Sequence, residues 1–360
     1  MTHHWTMKAE AALVTTEAEA LLEALCDHMV EHAEVTREGG FASISLDFGY
    51  SAMRLDGDRI HVSVEADDDT SLAFMKLVFA DHVVELANST PPAILWKGDG
   101  CATTVPPFFR EMRVTGTRQV TPRMRRITLQ GADLSRFAEG GLHLRLLFPP
   151  KGRVPSWPDL GPDGRLRMPV GEDALEHRIY TIRRIDVASG EMDIDMVLHE
   201  GENMPGSDFA ENAGVGDLVG ITGPGGGFVP DATELFLFGD ETALPAISRI
   251  LESVAPGVRA RVFVEVADEG ERQELSSPGS FAVEWLARGK DHREGERLVE
   301  AVRAHVGPHD ADAFVWAAGE HSAFKAIRAY LRKDLGRDRH DHLVSAYWRR
   351  GVRGDGTREA

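Results

Sequence analysis

Cysteine and long apolar runs are both scarce in this chain. Its 360 residues include two cysteines, Cys26 and Cys101, which are too few for a disulfide scaffold or a four-cysteine metal site. No run approaches the roughly 18 consecutive apolar residues of a membrane-spanning helix, and the residues from Met1 to Lys8 lack the apolar core of a signal peptide. We therefore expect a cytoplasmic protein without membrane insertion.

Basic residues are also few. The chain has 40 Lys and Arg against 58 Asp and Glu, a formal net charge of −18 at pH 7. Nucleic-acid binding depends on cations that neutralise phosphates, so this balance argues against nucleic acid as a partner. The charge is uneven, because residues 1–106 hold 6 basic and 18 acidic side chains, whereas residues 321–360 hold 10 basic and 5 acidic ones. The acidity therefore belongs mainly to the first part of the chain.

Glycine, proline and threonine cluster at residues 99–107 without apolar periodicity, which predicts a linker. A chain of this length holds roughly two or three domains. We predict an acidic domain over 1–98, a second domain over 108–230, a third over 231–352 and a tail over 353–360.

The acidic domain has the pattern αβββα. The predicted elements are, in order, a helix through Leu21, Leu25 and Met29, strands at 42–48, 52–55 and 60–64, and a helix from Leu72 to Leu86. Thr16-x-x-Glu19 has the spacing of a capping box for the first helix, and Asp69 or Thr70 would cap the second. This order predicts a small α+β domain.

Three histidines fall on these two helices. His28 and His32 are four residues apart and share a helix face, and His82 lies on the second helix. With Glu31 or Glu85 they could form a metal site, or they are ordinary packed or solvated side chains. The segment resembles a small uncharacterised domain family with the same element order and the pattern HxxxH…DH. That resemblance implies no activity.

The second domain consists of short predicted strands with little helix, which is typical of an antiparallel β-barrel. The third domain alternates near-continuous apolar strands with helices, which predicts a parallel sheet covered on both faces. The barrel strands are predicted at 111–117, 124–130, 143–148, 178–183, 192–198 and 218–222; the sheet strands at 235–238, 260–266, 313–318 and 343–347, with helices at 243–253, 296–306 and 322–335. A barrel followed by an open α/β sheet is one known architecture for holding a flavin.

One barrel strand carries the element R-x-Y-T-x-R. A flavin dinucleotide needs a cation for its pyrophosphate, an aromatic surface for its ring and a small donor near its reactive N5 edge. Arg178, Tyr180 and Thr181 suit these needs in that order. Arg183 suits a phosphate or ribityl oxygen, and a helix start at Ser207 would offer free N–H groups to a phosphate. The same composition also suits an ordinary strand, so the element alone leaves both interpretations open.

Small and acidic residues follow two strands of the predicted parallel sheet, at 239–242 and at Gly319-Glu320. Open α/β sheets bind ligands at the carboxyl ends of their strands. The dinucleotide fingerprint G-x-G-x-x-G is absent at 239–242, where a single glycine is followed by two carboxylates. The two turns fit a nicotinamide nucleotide laid across both, or they are ordinary strand–helix turns.

Together these motifs carry a resemblance. R-x-Y-T-x-R, G-D-E-T-A-L-P-A-I at the first sheet turn, W-A-A-G-E at the last and a terminal Y-W-R-R-G resemble the siderophore-interacting protein family of flavin-dependent ferric-siderophore reductases. Over about residues 108–352 the resemblance implies a ferredoxin-reductase-like fold, with an FAD-binding barrel and an NAD(P)H-binding sheet. It implies FAD on Arg178, Tyr180, Thr181, Arg183, His199 and Ser207; the nicotinamide near Gly239, Asp240, Glu241, Thr242, Gly319 and Glu320; and catalytic roles for Thr181 and Trp348. The segment 204–210 departs from the family, which usually has Gly-Pro-Ala-Ser-x-Trp-Ala there.

The resemblance also implies the reaction. Electrons from NADPH or NADH would pass through FAD to Fe(III) in a siderophore, and the hold of the hard oxygen donors weakens on reduction to Fe(II), so no protein metal ligand is expected. Candidate cations for an anionic chelate are Arg145, Lys151, Arg349 and Arg350. The acidic stretch 265–271 favours NADH, Arg288 and Lys290 could favour NADPH, and a reduced ferredoxin is a further possible donor.

Two other functions stay open from the sequence. A general flavin or ferric reductase that passes electrons to a protein or to a free acceptor would use the same two domains. A non-redox carrier of iron chelates would need the pocket without a flavin.

Overall fold

The computed structural model describes residues 4–88, 90–198 and 205–352. The chain divides into two compact units, Met1–Phe109 with Gly152–Ala174, and Arg110–Lys151 with Leu175–Ala360. Gly152–Ala174 lies inside the predicted second domain, yet it packs with the first unit. The domain boundaries drawn from the sequence remain predictions. Within the described ranges, no helix is long and apolar enough to cross a membrane.

The first unit is built on an antiparallel sheet. Its elements are β1 (Met7–Val14), α1 (Ala18–Met29), β2 (Glu34–Glu38), β3 (Phe41–Leu46), β4 (Gly49–Asp56), β5 (Arg59–Ala66), α2 (Asp69–Leu86) and β6 (Lys97–Gly98). The strand order is β2-β3-β4-β5-β1-β6. Alternate residues of β5, Ile60, Val62 and Val64, are buried in one apolar core with Leu25 of α1 and Leu72 of α2. The period-two pattern of the strands therefore buries one sheet face beneath both helices.

The predicted α+β class of this unit is confirmed, but the order αβββα was incomplete. Three strands were missed: β1, β2 and β6. Alanine and charged residues fill β1 and β2, and these residues are depleted in strands, so tertiary pairing decides their conformation. The capping box at Thr16 and Glu19 was also wrong, because Glu17 occupies the N-cap of α1 without a side-chain cap. In α2 the cap is Asp68, whose carboxylate accepts from two backbone N–H groups.

The second unit begins with an antiparallel barrel, confirming that prediction. The chain from 109 to 225 contains β7 (Phe109–Thr121), β8 (Met124–Gln130), α3 (Ser135–Ala138), β9 (His143–Phe148), β10 (Asp159–Leu160), β11 (Leu166–Arg167), β12 (Glu176–Thr181), β13 (Arg184–Asp186), β14 (Glu191–Val197), α4 (Pro205–Asn212) and β15 (Leu218–Gly225). The barrel order is β12-β9-β15-β7-β8-β14-β13. Strands β10 and β11 pair with each other and lie in the segment that packs with the first unit. Beyond β12, the Arg183 N–H donates to the Asp193 carbonyl oxygen of β14 at 2.9 Å, which links the two ends of the sheet.

A parallel sheet completes the second unit. Its elements are β16 (Glu234–Gly239), α5 (Leu244–Ser253), β17 (Arg259–Val266), β18 (Ser280–Ala287), α6 (Glu296–His305), β19 (Phe314–Glu320), α7 (His321–Ala329) and β20 (His342–Trp348), in the strand order β18-β17-β16-β19-β20. Leu235 and Leu237 pack in the core with α5. Phe236 and Phe238 pack on the opposite face with α6 and α7. The predicted cover on both faces is therefore confirmed.

Strand β18 was missed by the sequence analysis. It is an edge strand whose first six residues alternate between exposed and half-buried, with Ser280 and Glu284 on the exposed side. A half-exposed edge strand lacks the continuous apolar run that identifies the central parallel strands. Its presence places the residue after it, Arg288, beside the carboxyl ends of β16 and β17.

Candidate functional site

The strand with R-x-Y-T and the start of α4 lie together in the barrel. Tyr180 of β12 points its hydroxyl at the backbone of Gly206, where a Cβ would overlap the hydroxyl oxygen. Gly206 belongs to the segment that departs from the family pattern, and its missing side chain leaves this space to Tyr180. Ser207 follows Gly206 in the chain, lies in the first turn of α4 and is buried. Two separately predicted elements of the flavin site are thus neighbours.

The side chains of this region differ in what they offer. The Arg178 side chain is 23% exposed and lies 3.5 Å from Glu176, and its Nη1 donates to the His177 carbonyl oxygen at 2.5 Å. Thr181 is buried. Burial raises the pKa of Tyr180, so the phenol stays protonated at neutral pH. A half-exposed cation, an aromatic ring and buried hydroxyls beside a helix start fit a flavin dinucleotide. His199 lies outside the described residues.

Arg183 has a different partner from the one its motif suggests. Its guanidinium donates to both carboxylate oxygens of Glu252 in α5, at 2.9 and 2.8 Å. The Arg183 side chain is 17% exposed. The ion pair joins the barrel to the parallel sheet domain, and the predicted contact with a phosphate or ribityl oxygen stays a prediction.

We expect Arg183 and Glu252 to be energetically coupled in their contribution to stability. Arg183→Ala and Glu252→Ala should each lower the free energy of unfolding, and the double variant should be less destabilised than the sum by about 1 kcal/mol. Urea unfolding of the four proteins of the cycle measures this coupling. Additive effects would show that the bidentate pair contributes nothing beyond its separate residues.

At the carboxyl edge of the parallel sheet, three predicted segments meet at Asp240. The Asp240 carboxylate accepts from the Thr242 N–H at 2.9 Å and from the Trp348 indole N–H at 2.8 Å. A Cβ on Gly319 would lie 2.7 Å from the Asp240 Oδ2 atom. The first sheet turn, the last sheet turn and the C-terminal segment therefore converge, and Gly319 is needed for their close approach.

Asp240 is held in an unusual protonation range. Burial is the main cause and the neighbouring charge of Glu241 the second, and together they raise the pKa of Asp240 to about 6. The bonds from Thr242 and Trp348 act in the opposite direction. The group is therefore ionised at neutral pH and takes up a proton near pH 6, well above an ordinary aspartate.

This predicts a pH-dependent environment for Trp348. Above pH about 6 the ionised Asp240 accepts a charge-assisted bond from the indole, and below it the bond is to a neutral acid and is weaker. The difference in emission between the wild type and Trp348→Phe should titrate with a midpoint near pH 6. In Asp240→Asn the transition should vanish. A pH-independent difference spectrum would show that Asp240 does not titrate in this range.

The remaining residues of the sheet turns have structural partners. Gly239 lies so close to α5 that a Cβ there would stand 2.6 Å from the Ala243 Cβ atom. Glu320 caps α7, where its carboxylate accepts from the Ser322 N–H at 2.5 Å. Glu241 accepts from the Ala267 N–H at 2.6 Å and binds Arg288 at 2.9 Å. These contacts fix the shape of the edge whatever it binds.

One contact between barrel and sheet, from His143 to Tyr347, was missed by sequence reasoning. The His143 Nδ1 atom lies 3.0 Å from the Gly226 carbonyl oxygen, and its Nε2 atom lies 2.7 Å from the Tyr347 hydroxyl. Because a carbonyl can only accept, Nδ1 carries the proton and Nε2 accepts from Tyr347. Burial lowers the pKa of His143, in agreement with this neutral form. Tyr347 belongs to the terminal Y-W-R-R-G motif, but no motif contains His143, which lies 204 positions earlier.

The four cations predicted to hold a chelate are placed on two parts of the second unit. Arg145 is half-buried on β9, and Lys151 is exposed shortly after it. Arg349 and Arg350 follow β20 and are exposed. Arg350 forms an ion pair with Glu294, and its N–H donates to Glu320 at 3.4 Å. Their role toward a substrate stays a prediction.

The three histidines of the first unit are neighbours. The ring centroid of His28 lies 5.3 Å from that of His32 and 4.8 Å from that of His82. Within the described part of the chain, however, no group of three or more His, Cys, Asp or Glu side chains is arranged to hold a metal ion.

Three family models match successive parts of the chain. Residues 10–97 match a family described as an uncharacterized protein conserved in bacteria. Residues 113–228 match the siderophore-interacting FAD-binding domain, and residues 232–351 match the siderophore-interacting protein model. The order of these models agrees with the resemblance drawn from the sequence motifs.

Whole-protein relatives agree with the models. The ferric vibriobactin reductase ViuB of Vibrio cholerae is 32% identical over 248 residues, which cover 65% of this chain and 87% of that protein. A siderophore utilization protein from T. fusca is 35% identical with a TM-score of 0.58, covering 69% of this chain and 96% of that one. The siderophore-interacting protein SipS of Aeromonas hydrophila is 29% identical with a TM-score of 0.57, covering 68% and 93%. The chain belongs to the siderophore-interacting protein family.

Proposed function

We propose that this protein is an FAD-dependent ferric-siderophore reductase. It takes electrons from NAD(P)H and reduces siderophore-bound Fe(III) to Fe(II). The observation that carries the proposal is the pairing of two sites in one unit: Tyr180 against the start of α4, where Ser207 is buried, and Asp240 bonded to Trp348 at the sheet edge. The relative that acts on ferric vibriobactin by its name supports the same reaction class.

The barrel residues hold the flavin. When FAD binds, Arg178 would supply the cation for the pyrophosphate, Tyr180 an aromatic surface for the ring and Thr181 a small donor for its reactive edge. Ser207 and the N–H groups of the first turn of α4 bind phosphate oxygens. FAD, when bound, accepts electrons in pairs and releases them singly, which suits a nicotinamide donor and an iron acceptor.

The sheet edge holds the nicotinamide nucleotide. The turns at 239–242 and at Gly319-Glu320 form its seat, as the carboxyl ends of parallel strands commonly do. Trp348 is held over this edge by its bond to Asp240. We propose that the Trp348 indole shields the reacting atoms from water.

The substrate side needs charge rather than metal ligands. A siderophore surrounds Fe(III) with hard oxygen donors, and reduction to Fe(II) weakens that binding. Each NAD(P)H supplies the electrons for two Fe(III) ions and leaves NAD(P)⁺ and one proton. Arg145, Lys151, Arg349 and Arg350 are the cations that attract an anionic chelate. The reaction belongs in the cytoplasm, where reduced nicotinamide nucleotides are available and where Cys26 and Cys101 stay unpaired.

Anaerobic trapping of Fe(II) tests this proposal. Full-length protein reconstituted with FAD is mixed with NADH or NADPH, an Fe(II)-specific chelator and a panel of ferric siderophores. We expect turnover of at least one siderophore well above the rate with free FAD. No turnover above that control for any siderophore or donor would reject the siderophore reductase.

The visible spectrum of the protein separates the alternatives. A colourless protein that does not take up FAD would contradict both the siderophore reductase and the general flavin reductase. The non-redox carrier of iron chelates would then be the remaining hypothesis. A yellow protein that reduces free acceptors but no ferric siderophore would be a general flavin reductase. A reduced ferredoxin in place of NAD(P)H tests the remaining donor.

A further inference from the structure

We infer that the nicotinamide donor of this protein is NADH, and that Asp268 together with a closed Glu241–Arg288–Glu265 ion cluster excludes NADPH. The inference rests on the proposed function and specifies its electron donor. It concerns the part of the sheet edge that would face the adenosine half of the nucleotide. There the two donors differ only by the 2′-phosphate.

Asp268 is the acidic residue that would meet the adenosine ribose. It follows β17, the second strand of the parallel sheet in chain order, and is exposed. In open α/β sheets an acidic residue at the end of the second strand accepts from the ribose hydroxyls of NAD, whereas a nearby arginine accommodates the 2′-phosphate of NADP. The Asp268 Oδ1 atom accepts from the Gly270 N–H at 2.8 Å, which fixes the carboxylate. This end of the sheet therefore offers an acceptor to a hydroxyl and repels a phosphate.

Arg288 follows β18, the strand next to β17, but its guanidinium is already bound by two carboxylates. Its Nη1 atom lies 2.9 Å from Glu265, and its Nη2 atom lies 2.9 Å from Glu241. Burial disfavours the charge of Arg288, yet the two carboxylates outweigh burial and raise its pKa. The Arg288 side chain is 12% exposed. A guanidinium satisfied in this way has little left to offer a phosphate.

The Glu265 carboxylate is itself held in place by backbone hydrogen bonds. It is fully buried and also accepts from the Gly295 N–H at 2.8 Å and the Leu298 N–H at 3.1 Å at the start of α6. Turning Arg288 toward a ligand would leave two buried carboxylates without their cation, which is costly. Arg288 is therefore held in place before any nucleotide binds.

The other cations of this edge are weak candidates for a 2′-phosphate. Arg272 pairs with Glu269 at 2.6 Å, and Lys290 is an exposed side chain on a turn. A 2′-phosphate carries close to two negative charges at neutral pH. It would meet Asp268 and Glu269 on the loop that follows β17, so the local charge opposes NADPH.

Nucleotide binding tests the inference without iron. We measure by calorimetry the dissociation constants of NAD⁺, NADP⁺, ADP-ribose and 2′-phospho-ADP-ribose with the full-length flavoprotein, and the rates of flavin reduction by NADH and NADPH. NADP⁺ should bind at least about tenfold more weakly than NAD⁺, and 2′-phospho-ADP-ribose at least about tenfold more weakly than ADP-ribose. The rate of flavin reduction should be higher with NADH than with NADPH by a similar factor. Equal or tighter binding of the phosphorylated ligands, or no binding of either class, would overturn the inference.

Two substitutions assign the effect to residues. Asp268→Asn keeps an acceptor for the Gly270 N–H but removes the charge, and Glu241→Gln loosens Arg288. Each should reduce the NAD⁺ preference severalfold, whereas Glu300→Gln, an exposed charge removal on α6, should leave it unchanged. A preference that persists in both variants would show that other residues set it. The proposed function can fail separately, because reduction of ferric siderophores by chemically reduced protein needs no nucleotide.

Discussion

An Arg178→Ala variant should bind FAD about 10- to 100-fold more weakly than the wild type, because it loses a charge-assisted bond to the pyrophosphate. The Arg178 guanidinium is half-exposed at the barrel surface and has no close carboxylate other than Glu176 at 3.5 Å among its described ion pairs. It is therefore available to an anionic ligand. Titration of FAD into flavin-free protein, followed by flavin fluorescence, gives the dissociation constants.

Two further variants control this measurement. Arg118→Ala removes an exposed arginine from β7 of the same barrel and should leave FAD affinity unchanged. Arg178→Lys keeps the charge but not the planar fork and should fall between the wild type and Arg178→Ala. Wild-type affinity in Arg178→Ala would remove this residue from the flavin site.

The second large effect is expected in stability. Glu265→Ala should lower the free energy of unfolding by about 3–5 kcal/mol, because it removes one partner of a buried ion pair. The side chain is fully buried and binds Arg288 at 2.9 Å. Its loss also leaves the N–H groups of Gly295 and Leu298 without their acceptor. Thermal unfolding by calorimetry should show the transition of the second unit moved to a markedly lower temperature.

A matched variant on the neighbouring strand isolates burial as the cause. Glu284→Ala removes a carboxylate from β18 whose side chain is 57% exposed and whose partner is His305 at 3.8 Å. Exposed pairs of this kind contribute little, so its transition should stay in place. Equal shifts in the two variants would contradict the role given to the buried cluster.

Much of the architecture could be predicted because its patterns are local. Continuous apolar runs marked β16, β17 and β19, and R-x-Y-T-x-R marked the strand that borders α4. The missed strands β1 and β18 have compositions that suit a strand only once their neighbours are in place. Alanine and charge in β1, and the half-exposed alternation of β18, are decided by pairing and not by intrinsic preference.

The site was predicted as a set of residue types, but not as a set of contacts. The sequence gave no sign of the bond between Arg183 and Glu252, which lie 69 positions apart. It left Arg288 open as a phosphate ligand, whereas two carboxylates enclose it. It gave no sign of the bond between His143 and Tyr347. Contacts between residues far apart in sequence leave no local pattern, so only the packed fold reveals them.

Reoxidation of the reduced flavoprotein tests the central claim most directly. Protein reconstituted with FAD is reduced anaerobically and mixed in a single turnover with a ferric siderophore, while the flavin absorbance and Fe(II) are followed together. We predict that the oxidised spectrum returns with about two Fe(II) released per FAD, faster than with free reduced FAD at the same concentration. A flavin that stays reduced, or that reoxidises no faster than free FAD across the siderophore panel, would contradict a ferric-siderophore reductase.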